Sequence, residues 1–114
     1  MKLTTEQINK IDEIEMIVAN HFGIEPQSII NRESKENVSN ARYFLWYILH
    51  FDLGMSPTQL GRLYYRTPRL VKRGYAKIKS GIKFHKLYSN IYEDLMGKIE
   101  PILPKDLDRF WGKE

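Results

Sequence analysis

Residues 56–80 read SPTQLGRLYYRTPRLVKRGYAKIKS and contain two helix start signals. Residues 56–59, SPTQ, form a capping box with proline at the first helical position. Residues 67–68, TP, repeat the start signal, with threonine as the N-cap and proline at the first helical position. Two helices therefore begin within a dozen residues of each other.

The spacing of these signals predicts a pair of short-linked helices. We expect the first helix over 57–64, a turn at 65–67 and the second helix over about 68–80. Two helices joined by a turn of three or four residues form a helix-turn-helix unit. The predicted fold class is therefore all-α, a compact multi-helix bundle containing a helix-turn-helix.

The second of these helices divides into two faces. Residues at i, i+3, i+4 and i+7 spacing form an apolar stripe that we expect to pack inward. They are Val71, Gly74, Tyr75 and Ile78. The opposite side is mostly cationic, with Leu70 at its margin. It holds Arg69, Lys72, Arg73, Ala76 and Lys77.

The remaining chain supplies the rest of the bundle. Apolar residues at helical spacing, beginning with Ile8, predict a first helix over about 5–22. A single helical turn is expected at 25–30, followed by a polar loop. The helix over about 38–53 is apolar on most sides, which is typical of a central, buried element. A last helical pattern covers 87–99.

The predicted domain organisation is one helical domain over 1–100 and a tail over 101–114. Pro101 and Pro104 are expected to end regular structure, because proline cannot continue a helix. Phe110 and Trp111 near the end are aromatic. The sequence leaves open whether they dock on the core, on a second copy in a homodimer, or on another protein partner.

The charge is strongly segregated along the chain. Between Asp52 and Glu93 no acidic residue occurs, and the same interval holds nine of the eighteen cations. The other nine face fourteen acidic residues. Because like charges repel, a surface of one sign indicates a polyanionic partner.

Several function classes are disfavoured by composition. The chain has no cysteine, and His21, His50 and His85 are far apart, so no metal site is expected. No phosphate loop is present, no nucleophile has a base at helical spacing, and neither an enzyme nor a cofactor is predicted. No apolar run could span a bilayer, and the polar N-terminus is unlike a signal peptide, so we expect a cytoplasmic protein without membrane contact.

These patterns predict binding of double-stranded DNA. A major groove admits one α-helix, whose N-terminal half reaches the base edges. Arginine can form two hydrogen bonds with guanine O6 and N7, so Arg69 and Arg73 are expected to contact base edges. Leu70 is expected to contact a thymine methyl group. Phosphate contacts are assigned to the other cations and to the start of the first helix. Those residues are Pro57, Arg66, Lys72 and Lys77.

Residues 17–78 also resemble the C-terminal DNA-binding domain of the bacterial replication initiator DnaA. Residues 18–24, VANHFGI, are similar to that domain's opening V-A-x-x-F/Y-x-I, and residues 28–30, SII, and 41–42, AR, follow in order. Residues 56–61, SPTQLG, resemble its S-x-x-x-I-G segment. Its F-G-x-R-D-H-T-T-V…K-I stretch is matched, with one residue fewer at the turn, by Tyr64, Arg66, Val71, Lys77 and Ile78.

The resemblance implies six or seven helices carrying a helix-turn-helix. It further implies backbone contacts from Arg42 and from the helix start at Pro57 and Thr58, and base reading by the turn, including Thr67, and the helix after it. Residues 67–69 are TPR where the family has D-H-T, so we expect no high affinity for the initiator's own site. The ATPase part is absent, which suggests a stand-alone relative serving replication, transcription or a mobile element.

One alternative remains open. The basic face is also compatible with RNA, single-stranded DNA or an acidic protein. Tyrosines among the cations would let bases stack, which is how single strands are commonly held. These tyrosines are Tyr64, Tyr65, Tyr75 and Tyr88.

Overall fold

A computed structural model of the chain describes residues 2–112, and in this range all regular structure is helical. The helices are joined by short segments. They are α1 (Thr5–Phe22), α2 (Pro26–Ile30), α3 (Glu36–Phe51), α4 (Pro57–Tyr64), α5 (Pro68–Phe84), α6 (Lys86–Ile99), a 3₁₀ turn (Glu100–Ile102) and α7 (Leu107–Phe110). None of these helices is long and apolar enough to cross a membrane.

Local capping explains where the first helix begins and ends. The Gln7 backbone N–H donates to Thr4 Oγ1 at 3.1 Å, and the Thr4 N–H donates to Gln7 Oε1 at 2.9 Å. Gly23 ends the helix with φ of +66°, a left-handed conformation that glycine adopts at little cost. The predicted helix over 5–22 is confirmed. Ile8, expected on the buried stripe, is instead 43% exposed, because it lies at the edge of that stripe.

Helix α3 is the central element of the core. Trp46, Phe44 and Leu45 are at most 1% exposed, and α3 packs against α1, α2, α4 and α5. The largest fully buried side chains of the protein are aromatic, and two of them, Trp46 and Phe44, lie on α3, whose apolar pattern predicted a buried element. The helix begins at Glu36, two residues before the expected start.

Helix α5 lies across α3 with its apolar stripe inward. Val71 and Ile78 are fully buried. A Cβ placed on Gly74 would come within 2.7 Å of Tyr43 Cδ1 and 2.8 Å of Trp46 Cε3. The missing side chain at Gly74 therefore lets α5 approach the aromatic surface of α3, and the expected inward face is confirmed.

The predicted end of α5 at Ser80-Gly81 is wrong. The helix continues to Phe84, because Gly81 is used for packing and not as a terminator. A Cβ on Gly81 would come within 2.1 Å of Tyr88 Cδ2, so the Tyr88 ring of α6 covers the glycine directly. This close approach fixes the corner between α5 and α6.

The C-terminal segment packs on the rest of the chain. Trp111 Nε1 donates to the Leu53 carbonyl at 2.7 Å, and Gln7 Nε2 donates to the Phe110 carbonyl at 2.9 Å. The expectation that Pro101 and Pro104 end regular structure is wrong, since α7 follows them. Asp106 caps α7 by accepting the Arg109 N–H.

Candidate functional site

The site is built on α4, the three residues 65–67 and the N-terminal half of α5. Tyr65 ends α4 in the left-handed conformation, with φ of 57°, which is uncommon for a residue other than glycine. The Arg66 N–H donates to the Gly61 carbonyl at 2.9 Å. Thr67 then caps α5 by accepting the Leu70 N–H at 3.2 Å. These three steps turn the chain from one helix into the next.

Arg66 ties this turn to the segment after α2. Its Nη1 donates to the Ile30 carbonyl at 3.1 Å and to the Tyr64 carbonyl, and its Nη2 donates to the Asn31 carbonyl at 3.0 Å. Backbone carbonyls therefore hold this guanidinium in place. The side chain that sequence reasoning assigned to phosphate contact is, in this structure, a brace between two loops.

Arg42 is a second, more deeply placed brace. It is 6% exposed, although it is charged and points from the middle of α3. Its Nε donates to the Ile29 carbonyl at 2.8 Å, and its Nη2 donates to the Asn31 carbonyl at 2.7 Å and the Glu33 carbonyl at 3.2 Å. Buried charges require such partners, and here the partners are backbone carbonyls at the end of α2 and in the loop between α2 and α3.

Burial and like charge act together on the two braces. Burial lowers the pKa of the Arg42 guanidinium, and the neighbouring Arg66 lowers it further. Burial likewise lowers the pKa of Arg66, with Arg32 as the second cause. Glu33 acts in the opposite direction on the pKa of Arg42 and lines the same groove as the arginines, so both signs of charge are present where α2, α3 and the turn meet.

The exposed cations of α5 form the outer surface of the site. Within residues 2–112 none of them makes an ion pair, and the pair that does form, Lys10 with Glu13, lies on α1. All are exposed side chains on the helix face opposite the core. They are Arg69, Lys72, Arg73 and Lys77.

An aromatic ring lies beside this cationic face. Lys77 Nζ lies 5.8 Å from the centroid of the Tyr43 ring, within the range of a cation–π contact. Tyr43 and Leu70 line two adjoining grooves, of about 220 Å³ on the side of Arg73 and about 360 Å³ on the side of Arg66. The basic helix therefore borders a shallow groove rather than a flat surface.

Two of the predicted contact residues lie elsewhere. Pro57 and Thr58 start α4, at the end of that helix opposite the turn. Thr58 lines a separate groove beside Trp111. The structure therefore brings together the predicted residues of the turn and of α5, with Arg42 beneath them, but not those at the start of α4.

The tyrosines named for single-strand stacking have different surroundings. Tyr64 is fully buried and donates to Glu15 Oε2 at 2.8 Å, and Tyr75 stacks on His50 with ring centroids 4.5 Å apart. Tyr88 covers Gly81. Tyr65 is 76% exposed and is the member of the four that has an open ring.

Sequence reasoning missed one residue of this surface, Tyr43. It lies between the braced Arg42 and the buried Phe44, and its ring reaches the groove beside α5. Its position off the most apolar side of α3 is the signal that could have found it. Arg32 lies in the predicted polar loop after α2 and was given no role. Its lowering of the pKa of Arg66 depends on the three-dimensional fold, which brings the two side chains together.

No family model matches this chain, and no curated protein matches it. Among residues 2–112 no three histidine or acidic side chains come together in a group able to hold a metal ion.

Proposed function

We propose that this protein binds double-stranded DNA, with α4, residues 65–67 and α5 acting as a helix-turn-helix and α5 as the recognition helix. A helix with its side chains is about 10–12 Å wide, and the major groove is about 12 Å wide. Helix α5 is anchored on α3 by one face and leaves the opposite face free along its length. A helix that inserts into the major groove requires such a free face.

The observation that supports the proposal most strongly is the unpaired positive face. Arg69, Lys72 and Arg73 are exposed, and within residues 2–112 no carboxylate pairs with them. Unpaired cations on one rigid helix repel each other, and binding to a phosphate backbone relieves that repulsion and releases counterions. A protein surface without such a partner usually mixes both signs.

Position along α5 assigns the roles. Arg69 is the second residue of the helix, where side chains of a recognition helix meet base edges, and Arg73 follows one turn later. Leu70, 43% exposed, is placed to touch a thymine methyl group. Lys72 and Lys77 lie beside these three residues and would contact phosphates. Phosphate contacts position the protein without specifying the base sequence.

Arg42 and Arg66 have a positioning role in this proposal. Their guanidinium groups are occupied by backbone carbonyls, so Arg66 holds the turn against residues 30–31 and Arg42 holds residues 29–31 against α3. They also add positive potential beneath the contact surface, because their charge is only partly shielded there. Neither residue needs to touch the DNA to favour binding.

We also propose that the chain is a relative of the C-terminal DNA-binding domain of DnaA. In favour are the motifs in residues 17–78 and an all-helical fold with seven α-helices in residues 2–112, where the resemblance implies six or seven. Residues 67–69, TPR, replace the family's D-H-T. We therefore propose a DNA target different from the initiator's own site.

A second candidate is binding of single-stranded nucleic acid, and one observation favours it. Tyr65 presents an exposed ring beside the braced Arg66, and Tyr43 lines the adjoining groove. Aromatic rings next to cations hold unpaired bases by stacking. The groove, however, has one open ring at its rim, whereas a single-strand channel needs several in succession.

Selection from random duplexes, followed by sequencing, tests the leading proposal. We expect one enriched motif, bound by the wild-type protein more tightly than unrelated duplex and more tightly than either strand alone. Arg69→Ala should lose the preference at one base position. Absence of any enriched motif, or binding of single strands at least about tenfold tighter than duplex, would reject duplex recognition in favour of the second candidate.

A further inference from the structure

The corner between α5 and α6 exposes an apolar surface that the proposed DNA contact does not use. Phe84 is 70% exposed and Leu87 67% exposed, and only His85 separates the two helices. Phe84 lies fifteen residues after Arg69, which is about 22 Å along the helix axis. The corner is therefore beyond the part of α5 that a single groove crossing would cover.

This apolar surface is flanked by positive charge. Lys83 and Lys86 are both exposed, and Lys83 Nζ lies 5.5 Å from the centroid of the Phe84 ring. The sequence places no carboxylate between Asp52 and Glu93. We call Lys83, Phe84, Lys86 and Leu87 the basic corner. Its chemistry fits an acidic surface with an apolar centre.

The outer side of α1 has the opposite character. Met16 is 49% exposed, and one turn earlier Asp12 and Glu13 are exposed as well. We call these three residues the acidic face. Glu13 accepts a bond from Lys10 Nζ at 3.2 Å, while Asp12 has no ion pair within residues 2–112. An exposed methionine is a flexible apolar side chain, well suited to pack against another apolar group.

We propose that two copies of this chain bind each other through these surfaces, with the basic corner of one copy on the acidic face of the other. The basic corner presents Phe84 and Leu87 between two lysines, and the acidic face presents Met16 beside Asp12, which has no ion pair within residues 2–112, and Glu13, which is paired with Lys10. Leu87 and Phe84 would be removed from water against Met16, and Lys83 and Lys86 would face Asp12 and Glu13. The inference is independent of the DNA proposal.

The size of the surfaces sets the expected strength. Seven side chains make an interface at the small end of the range for protein pairs, so the association should be weak and concentration-dependent. Since the ion pairs lie at an exposed rim, salt should weaken it. Both features separate this contact from an obligate dimer.

Sedimentation of the full chain tests the proposal, with two double charge reversals and a matched control. The first variant, Lys83→Glu with Lys86→Glu, alters the basic corner, and the second, Asp12→Lys with Glu13→Lys, alters the acidic face. The control, Lys98→Glu with Lys105→Glu, makes the same change in net charge as the first variant at exposed positions elsewhere. Circular dichroism confirms folding of each variant.

We expect the wild-type mass to rise above 13.6 kDa between about 10 µM and about 1 mM protein in about 50 mM salt, and to return towards the monomer in about 500 mM salt. The control should behave like the wild type. Each charge-reversal variant alone should need at least about tenfold more protein to associate. An equimolar mixture of the two variants should associate again, because it restores opposite charges across the contact.

Four results would overturn the proposal. They are a wild-type protein that stays monomeric throughout, a control that loses association, a variant that associates like the wild type, and a mixture that does not recover. Pelleting with phosphatidylserine vesicles, compared with phosphatidylcholine vesicles, completes the test. A wild-type protein that binds the acidic vesicles while remaining monomeric would assign the basic corner to a lipid surface instead of a second copy.

Discussion

The Arg66 carbonyl oxygen lies so close to Gly61 that a Cβ built on that glycine would come within 2.5 Å of it. The same two residues are joined by the hydrogen bond from the Arg66 N–H to the Gly61 carbonyl. The turn between α4 and α5 therefore rests directly on the backbone of α4, with no room for a side chain between them. Its geometry depends on Gly61.

The first prediction concerns that contact. Gly61→Ala should destabilise the fold by about 1–3 kcal/mol, because the obstructing atom is backbone and cannot rotate away. Gly97→Ala is the matched control: it is also a glycine within a helix, and nothing lies within 4 Å of an added Cβ. Urea denaturation should show the control gaining up to about 1 kcal/mol from better helix propensity. Equal effects of the two variants would contradict the close approach.

The second prediction concerns strain at Tyr65. Tyr65→Gly should stabilise the protein by roughly 0.5–1 kcal/mol, since relief of the left-handed backbone outweighs the added freedom of the unfolded chain. Tyr65→Ala is the control, because it removes the ring and keeps the strain. Thermal unfolding compares the two. If the melting temperature of the glycine variant is equal to or lower than that of the alanine variant, the left-handed conformation is not a source of strain.

The same pair of variants tests the second candidate function. If Tyr65 stacks on bases, both variants should bind single strands more weakly by about 1–3 kcal/mol. Loss of single-strand binding with unchanged duplex binding would show two separable activities. We expect the affinity for duplex DNA to change little, because Tyr65 lies before α5 and outside the set of exposed cations on that helix.

The third prediction concerns pH. Burial raises the pKa of Glu15 above its ordinary 4.5, and the hydrogen bond from the Tyr64 hydroxyl opposes that rise without cancelling it. A carboxyl group that holds its proton more tightly in the folded state stabilises the fold more at low pH. Its contribution is therefore lost as pH rises from about 4.5 through the raised pKa.

Glu15→Gln removes this dependence. The glutamine keeps an oxygen that accepts the Tyr64 hydrogen bond and carries no charge that burial would penalise. As pH rises, the free energy of unfolding of Glu15→Gln should therefore increase relative to that of the wild type. Chemical denaturation between pH 4 and pH 7 measures it. Asp52→Asn is a parallel test, because burial also raises the pKa of Asp52. A wild type that gains stability over that window through Glu15 would contradict the direction assigned here.

Comparison of sequence and structure shows which features are local. The capping box at Ser56 and the threonine cap at Thr67 placed two helix starts correctly, because each signal and its hydrogen bonds lie within four residues. The end of α5 was misplaced because Gly81 looks like a terminator until Tyr88 is seen to cover it. The Tyr88 ring, seven residues after Gly81, gives this glycine a packing role. No local sequence pattern reveals that contact.

The braces could not be foreseen for a related reason. The sequence shows that Arg42 and Arg66 carry donors, but their acceptors are backbone carbonyls, which every residue possesses. Which carbonyls they meet depends on how the segment between α2 and α3 folds back. The outward cations of α5, in contrast, follow from helical periodicity alone and were placed correctly.

The fourth prediction separates base reading from phosphate contact. Arg69→Ala should cost about 1–3 kcal/mol on the selected duplex and relax one base position. Lys77→Ala should weaken binding to all duplexes alike and make the salt dependence shallower by about one unit of slope. Lys98→Ala, an exposed lysine on α6, serves as the control. Indistinguishable losses from both variants on every sequence would remove Arg69 from base reading.

The most direct test of the central claim, that the exposed cations of α5 bind the backbone of duplex DNA, is the salt dependence of duplex affinity measured by fluorescence anisotropy. With the two phosphate contacts assigned to Lys72 and Lys77, the logarithm of the binding constant should fall against the logarithm of salt concentration with a slope of about −2. Replacing Lys72 and Lys77 together should bring that slope about two units nearer zero. No measurable duplex binding at low salt, or a slope that the double replacement leaves unchanged, would contradict the claim.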